Sequence, residues 1–287
     1  MSAIYKREMR SYLTGITGML FIGILLLCVG FMVFTNNLFS VSSSFATTLY
    51  MSQIILILIV PILCMRSMAE DKHNKTDMFL LSLPLKTTDI VLGKYLALLT
   101  VFALPMALIS LYPLILGLFG QMNYLTTYSA VLGFFLLGAA LIALCQYISS
   151  LTESQVIAAV LGVVTVFALF SLGTISSFIP SSALASFIAF AVVGVLAGLF
   201  TFYMTRNVVV SLVLGLIIII PVALIFIIVP TALEATFPTL LMFCSPFMAF
   251  ENVSQGIFDL AAVVTLISHI VLFTFLTNRS VDRKRWS

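Results

Sequence analysis

Charged residues are scarce in this chain: they make up 8% of its 287 residues, whereas 62% of the residues are hydrophobic. Soluble globular domains carry about 25% charged residues, and a soluble fold of this length could not bury so much apolar surface. The apolar runs also lack the polar residue at every second position that a transmembrane β-strand shows. The composition therefore excludes a soluble domain and a membrane barrel, and it predicts an all-α polytopic membrane protein.

Motifs of catalysis are missing as well. The sequence holds no GxxxxGK[ST] phosphate loop, because Gly93-Lys94 is followed by Tyr95, and it holds no GxSxG elbow and no HExxH pair. Its four cysteines form no CxxC pair, and its two histidines, His73 and His269, lie far apart in the chain. We therefore predict that the chain is not an enzyme and has no catalytic, cofactor or metal site of its own.

Apolar runs of about 20 residues follow one another along the chain, and each is long enough to cross a hydrocarbon core of roughly 30 Å as a helix. The eight predicted spans are Ile16–Phe34, Phe45–Cys64, Leu92–Leu118, Tyr128–Ile148, Val156–Leu172, Ala183–Tyr203, Val208–Val229 and Leu260–Leu276. The connections between the fifth, sixth and seventh spans are short, so a six-span arrangement is the alternative. The first run is too long for a signal peptide.

The positions of Lys and Arg predict the orientation. With the amino terminus in the cytoplasm and an even number of spans, all 13 Lys and Arg residues face the cytoplasm. They are Lys6, Arg7, Arg10, Arg66, Lys72, Lys75, Lys86, Lys94, Arg206, Arg279, Arg283, Lys284 and Arg285. We predict a multi-pass protein of the cell membrane with both termini cytoplasmic. The net charge of +3 then reflects topology rather than nucleic-acid binding, and the basic tail at 277–287 contacts membrane lipids.

The connection after the second span gathers much of the charge. The segment from Arg66 to Lys94 holds nine of the 23 charged residues, counted from 13 Lys and Arg plus 10 Asp and Glu. Residues from Ser67 to Leu83 can form a surface helix with a polar first half and an apolar second half, which Pro84 stops. Mixed charges beside an apolar surface are typical of a protein-docking site, whereas a lipid-binding helix would be richer in Lys and Arg.

The same connection resembles a known family. The residues that carry the resemblance are Arg66, Glu70, Thr76, Leu80, Leu81, Pro84 and the run Ile90-Val91-Leu92-Gly93-Lys94-Tyr95. Their order resembles the signature of ABC-2 type transporter permeases, which reads approximately RxxAEExxxGTxELLLxxP, followed by EIVxGK[FY]. Two departures are Lys75, which replaces the glycine before Thr76, and Met78, which replaces a glutamate.

Both ends of the chain extend the resemblance. Residues 1–14 are similar to the amphipathic elbow helix that precedes the first span in these permeases. The outer segment, last span and basic tail resemble those of the gliding-motility and nitrous-oxide-reductase-associated permeases of the superfamily. The residues that carry this second match are Ser245, Pro246, Phe250, Glu251, Gly256, Asp259, Leu260, Arg285 and Trp286.

The resemblance implies one transmembrane permease domain over residues 1–287, which serves as the membrane subunit of an ABC exporter. Residues 66–91 would be the cytoplasmic coupling helix, which seats in a separate ATPase subunit that binds ATP and Mg. The implied complex is a homodimer, or a heterodimer with a similar permease, with two ATPase copies. The implied docking residues are Arg66, Glu70, Asp71, Thr76, Asp77, Met78, Phe79, Leu80, Leu81 and Pro84. The family core has six spans, so a hairpin near 182–229 would be an addition.

The outer segment at 230–259 has too few continuous apolar residues for a full crossing. Its prolines predict short re-entrant or surface helices that close the outer end of the path, with a passive loop as the alternative. Candidate gate residues are Pro246, Phe250, Glu251 and Asp259, of which the two carboxylates would lie near the membrane–water boundary.

Two other functions remain as alternatives, namely an ion-coupled secondary transporter and a non-transporting membrane scaffold. No carboxylate lies within a predicted span, which disfavours an ion-coupled carrier without excluding it. His269, in the last span, is either a functional group or a packed, hydrogen-bonded imidazole.

Overall fold

The computed structural model describes residues 1–40, 44–76, 86–118, 122–255 and 259–285, and within these ranges the chain is helical without any strand. Eight of the described helices are long and apolar enough to cross a membrane. The prediction of an all-α polytopic membrane protein is confirmed, and so is the expected set of eight apolar spans.

The first half of the chain begins with a short amphipathic helix and then forms four of the long helices. The helices are α1 (Ser2–Thr14), α2 (Ile16–Val33), α3 (Phe45–Cys64), α4 (Ala69–His73), α5 (Thr87–Ile109), α6 (Tyr112–Gly117) and α7 (Tyr124–Leu151). A π-helical turn, Phe34–Phe39, extends α2. Helix α1 buries Ile4, Glu8 and Tyr12, which lie at intervals of four residues on one face.

The second half contains the other four long helices and a group of short ones. They are α8 (Gln155–Phe178), α9 (Ala183–Thr205), α10 (Val208–Ile228), a 3-10 turn (Pro230–Leu233), α11 (Thr236–Cys244), α12 (Pro246–Ser254) and α13 (Leu260–Arg285). The expected short helices of the outer segment are thus present, and together they have the length and apolarity of a broken span or a re-entrant loop. The basic tail is a helical continuation of the last span as far as Arg285.

Packing divides the chain into two compact units, Met1–Ala168 with Pro246–Ser287 and Leu169–Ser245. The core of the first unit is α7, which packs against α3, α5, α12 and α13. Close approach is possible because α7 carries small residues at its contacts. A Cβ at Gly138 would overlap the ring of the fully buried Phe102, so only glycine lets α5 and α7 come this near.

The second unit is built on the α9–α10 hairpin. Its turn places Arg206 in the left-handed region at φ 54°, and the Asn207 side chain accepts hydrogen bonds from the N–H groups of Val209 and Val210. The hydroxyl of Ser211 donates to the Gly198 carbonyl across the hairpin, and the rings of Phe187 and Phe226 stack at 5.1 Å.

The connection after α3 differs from the expected helix over Ser67–Leu83. Helix α4 ends at His73, and Lys75 then adopts a positive φ of 56°, which breaks the helix at that point. Residues 77–85 lie outside the described part of the chain; they include the predicted docking residues Asp77, Met78, Phe79, Leu80, Leu81 and Pro84. The span that follows begins as α5 at Thr87, five residues before the predicted Leu92. The segment 66–91 is therefore not a single helix.

Candidate functional site

The charged connection contains an ion pair that belongs to the chain itself. Arg66 and Glu70 are four residues apart, and the Arg66 guanidinium donates to both carboxylate oxygens of Glu70 at 2.8 Å. A third bond runs from Arg66 to the hydroxyl of Thr17 in α2, at 3.3 Å. About 30% of each charged side chain remains accessible. The pair therefore binds the connection to the start of α2, and part of both charged side chains stays exposed on the surface of the protein.

Lys94 supplies the centre of the site from α5. Its side chain is only 3% exposed, and its ammonium donates to the carboxylate of Asp71 and to the carbonyl of Ser67. A carboxylate oxygen of Glu8, in α1, lies 3.4 Å from the same ammonium. A buried ammonium is tolerated only with such partners, because the desolvation of an unpaired charge is costly. Lys94 thus joins α1, the connection and α5 at one point.

Arg7 completes this cluster from the exposed side of α1. Its guanidinium lies 2.6 Å from the Glu8 carboxylate and 3.5 Å from that of Asp71. Burial by itself would lower the pKa of Arg7. The hydrogen bond and charge of Glu8, together with Asp71, outweigh that effect, so the pKa of Arg7 lies above its ordinary value. We call Arg7, Glu8, Asp71 and Lys94 the charge cluster. Two cations and two carboxylates balance within it.

Helix α7 holds the other side of the connection through its last polar residues. The hydroxyl of Ser149 accepts the backbone N–H groups of Met68 and Ala69 at 3.1 and 3.0 Å, and it lies 3.3 Å from the carbonyl of Met65. These N–H groups belong to the start of α4, and the first N–H groups of a helix have no hydrogen-bond partner within the helix. Lys72 also donates to the carbonyl of Ser150. The connection is therefore bound to α7 as well as to α1 and α5.

Two further contacts fix the helices around the cluster. The amide of Gln146, which is fully buried in α7, donates to the carbonyl of Val91 in α5 at 3.1 Å. A Cβ at Gly93 would lie 3.3 Å from the side chain of Ile4, so glycine allows α1 to lie directly on α5 beside Lys94. The site is built on packed helices rather than on a free loop.

Four of the docking residues expected from the sequence lie in the described part of the chain. Arg66 and Glu70 pair with each other, whereas the carboxylate of Asp71 faces Lys94 and Arg7. The hydroxyl of Thr76 donates to the Asp71 carboxylate at 2.9 Å and so closes the turn at Lys75. Their contact with an ATPase stays a prediction, as does that of the six residues between Asp77 and Pro84.

Sequence reasoning missed the internal partners of these residues. Glu8, Lys94 and Ser149 were not among the predicted site residues, although each is a polar group in an apolar setting. Lys94 lies two turns into a long helix and Glu8 lies on the apolar face of α1. A polar residue at such a position requires a partner, and this requirement is the signal that could have found them.

The outer gate candidates are placed on α12 and at the start of α13. Pro246 and Phe250 are buried, and the Phe250 ring meets that of Phe134, in α7, edge to face at 5.7 Å. Glu251 is half-buried and accepts from Gln255 at 3.3 Å, whereas Asp259 is half-exposed and caps the N–H of Ala261 at 2.9 Å. Phe250 therefore packs helices together, and a gating role for these four residues stays a prediction.

The family of the chain follows from its comparison with known proteins. A family model described as an ABC-2 family transporter protein matches residues 4–204. The chain belongs to this family. The matched residues include most of α1, the charge cluster, Arg66–Glu70 and Ser149, so the site lies within the matched part of the chain. A comparison with curated proteins gave no match.

Family membership confirms the resemblance drawn from the Arg66–Tyr95 signature. The chain is a multi-pass membrane permease of an ABC transporter, a class that works with an ATPase partner and whose membrane subunits are generally not ATPases themselves. The match ends at residue 204. The resemblance of the outer segment and tail therefore rests on their own residues.

Proposed function

We propose that this chain is the transmembrane subunit of an ATP-driven exporter, which couples ATP hydrolysis by a separate ATPase to substrate movement. The observation that carries the proposal is the binding of the connection after α3 to three helices. Lys94 links it to α5, Arg7 and Glu8 link it to α1, and Ser149 links it to α7. A force applied to the connection would therefore reach the spans directly.

The residues of the connection divide between two tasks. Asp71 and Ser67 face inwards and hold the connection to the spans. Arg66 and Glu70 keep about 30% of their side chains accessible and can face a partner. Residues 78–81, Met-Phe-Leu-Leu, supply the apolar anchor in this proposal, because buried apolar side chains carry most of the binding energy of an interface.

The working complex in this proposal is a dimer of this chain, or of this chain with a similar permease, together with two ATPase chains. ATP and Mg bind to the ATPase chains, and this chain binds no cofactor. Both termini and the connection face the cytoplasm, which the distribution of Lys and Arg supports. Closure of the two ATPases would move the two connections and tilt the attached spans.

The proposal is tested by Phe79→Ala in the chain co-expressed with its ATPase. Truncation of an apolar anchor costs about 2 kcal/mol or more, so we expect the ATPase to be lost on purification and ATP-driven transport to fall, with normal membrane insertion. The matched control is Phe39→Ala. Phe39 is 81% exposed and lies in the π-helical turn after α2, whereas the connection contacts the start of α2 at Thr17, so this change should not affect assembly.

Two results would contradict the proposal. The first is a Phe79→Ala variant with intact assembly and transport, which would show that the connection does not dock the ATPase. The second is transport that persists without the ATPase and stops when an ionophore removes the ion gradient, which would identify an ion-coupled carrier instead.

A further inference from the structure

A cavity of about 470 Å³ lies in the first unit, between the last turn of α7 and the last turns of α13. This volume is within the usual range for small-ligand sites, about 300–1,000 Å³. The residues that line it are Tyr147, Ser150, Leu151, Leu276, Arg279, Ser280 and Arg283. It is separate from the charge cluster, and neither the family match nor the proposed coupling assigns it a role.

The cavity carries two positive charges without an acidic partner. Arg279 and Arg283 lie one helical turn apart, and neither makes an ion pair within the described residues. The carboxylate of Asp282 accepts from Thr87 instead, while the Arg279 guanidinium lies 5.2 Å from the centre of the Phe275 ring. Like charges four residues apart repel each other on a helix, so an anion bound between them would remove this repulsion.

Neutral donors accompany the two arginines. In the part of the chain that the structure describes, no hydrogen bond engages the hydroxyls of Tyr147 and Ser280, so both can donate to a ligand. The Ser150 hydroxyl, in contrast, donates to the carbonyl of Tyr147 at 2.7 Å. Two guanidinium groups beside free hydroxyls suit an oxyanion with several acceptor oxygens, and the planar guanidinium matches phosphate in particular.

The position of the cavity along α13 restricts the source of such an anion. Helix α13 has 26 residues, whereas about 20 residues cross the hydrocarbon core. Counted from Leu260, the crossing ends close to Arg279, so Arg279 and Arg283 lie at the level of the lipid headgroups. Leu151 and Leu276 line the apolar side of the cavity. The cavity thus offers charge to a headgroup and apolar surface to the start of an acyl chain.

We propose that this cavity binds the phosphate of an anionic phospholipid. The guanidinium groups of Arg279 and Arg283 hold the phosphate oxygens, and Ser280 and Tyr147 donate to the remaining acceptors. In the orientation proposed above, the cavity faces the headgroups of the cytoplasmic leaflet. The lipid site itself does not depend on that orientation. The same chemistry would accept free phosphate, and the experiment distinguishes the two sources.

The test is native mass spectrometry of the delipidated full chain, titrated with phosphatidylglycerol or with phosphatidylcholine of the same acyl chains. We expect the wild-type chain to bind phosphatidylglycerol preferentially. The double variant Arg279→Gln/Arg283→Gln should weaken this binding by about thirtyfold, because each of the two arginines makes the usual contribution to binding an anionic lipid. The matched control, Arg10→Gln/Arg206→Gln, removes two exposed arginines elsewhere and should leave binding within about twofold.

Each further outcome decides the proposal. Competition by inorganic phosphate at equal concentration would support the phosphate site but assign it to the free anion. Equal binding of both lipids, or equal losses in the two double variants, would overturn it. Loss of the co-purified ATPase in Arg279→Gln/Arg283→Gln, with unchanged lipid binding, would assign these arginines to the protein interface and also overturn it. Thermal unfolding of both variants checks that they are folded.

Discussion

Helix α7 and the α9–α10 hairpin are both strongly apolar, yet their surroundings differ. In α7, 72% of the most apolar stretch of the helix is buried, whereas in α9 and in α10 only 11% of that stretch is buried. Residue type accounts for α10, which consists mainly of Val, Leu and Ile, whereas α7 carries Gly138, Ala139, Ala140 and Gln146 at its contacts. It does not account for α9, which is as rich in Ala and Gly as α7. In a membrane, large aliphatic side chains suit lipid, and small or polar side chains mark helix contacts. Apolarity identifies a span but does not identify the core.

The largest expected effect concerns the charge cluster of the first unit. Lys94→Ala removes the buried ammonium and leaves Arg7 as the only cation of the cluster beside the carboxylates of Glu8 and Asp71. This change should lower the free energy of unfolding by about 3–5 kcal/mol. Thermal unfolding of the purified protein measures the loss. The control is Lys6→Ala, which removes an exposed lysine of α1. Equal stability of the two variants would show that the cluster does not hold the connection.

The second prediction tests close helix packing. Gly138→Ala places a methyl group against the fully buried Phe102, so we expect a loss of about 1–3 kcal/mol from overpacking. Gly23→Ala in α2 is the matched control, because no heavy atom lies within 4 Å of its added Cβ. That control should be neutral or stabilised by up to about 1 kcal/mol, since alanine favours a helix. The opposite order of the two variants in thermal unfolding would contradict the packing of α5 on α7.

The third prediction concerns the turn with positive φ at Lys75 of the first unit. Glycine adopts this backbone region without strain, and the family pattern has glycine in place of Lys75. Lys75→Gly should therefore increase the free energy of unfolding by about 0.5–1 kcal/mol, which would be measured as a small rise in melting temperature. Lys72→Gly, within α4, is the control and should lower it. A decrease at Lys75 would contradict the turn.

The smallest expected effect lies in the hairpin. Ile217 of α10 is 60% exposed, so Ile217→Ala should change stability by less than about 0.5 kcal/mol. The comparison is Leu141→Ala in α7, where the side chain is fully buried and its truncation should cost about 2–5 kcal/mol. If Ile217→Ala proves as damaging as Leu141→Ala in the purified protein, the hairpin is covered by another chain.

Much of the fold could be predicted because lipid limits the choices of the backbone. Every buried N–H and C=O group must bond within its own segment, so each apolar run becomes a helix. The bounds were less predictable: α13 continues through the basic tail, and α5 begins at Thr87, because helices extend beyond the hydrocarbon core. The break at Lys75 was missed because Lys75 itself carries no turn signal, although the family pattern has glycine at this position, and the contact of Thr76 with Asp71 that closes the turn is not visible in the sequence.

The sequence by itself determined the class, the spans and the family, because composition and the Arg66–Tyr95 signature are local properties of the chain. Only the tertiary structure decided that Asp71 faces inwards and that Glu8, Lys94 and Ser149 hold it and its neighbours in place. These residues come from α1, α5 and α7, and a buried charge can take its partner from any helix that packs beside it. Spacing along the chain specifies which residues share a helix face, whereas the partner of a buried ammonium is specified by which helices meet.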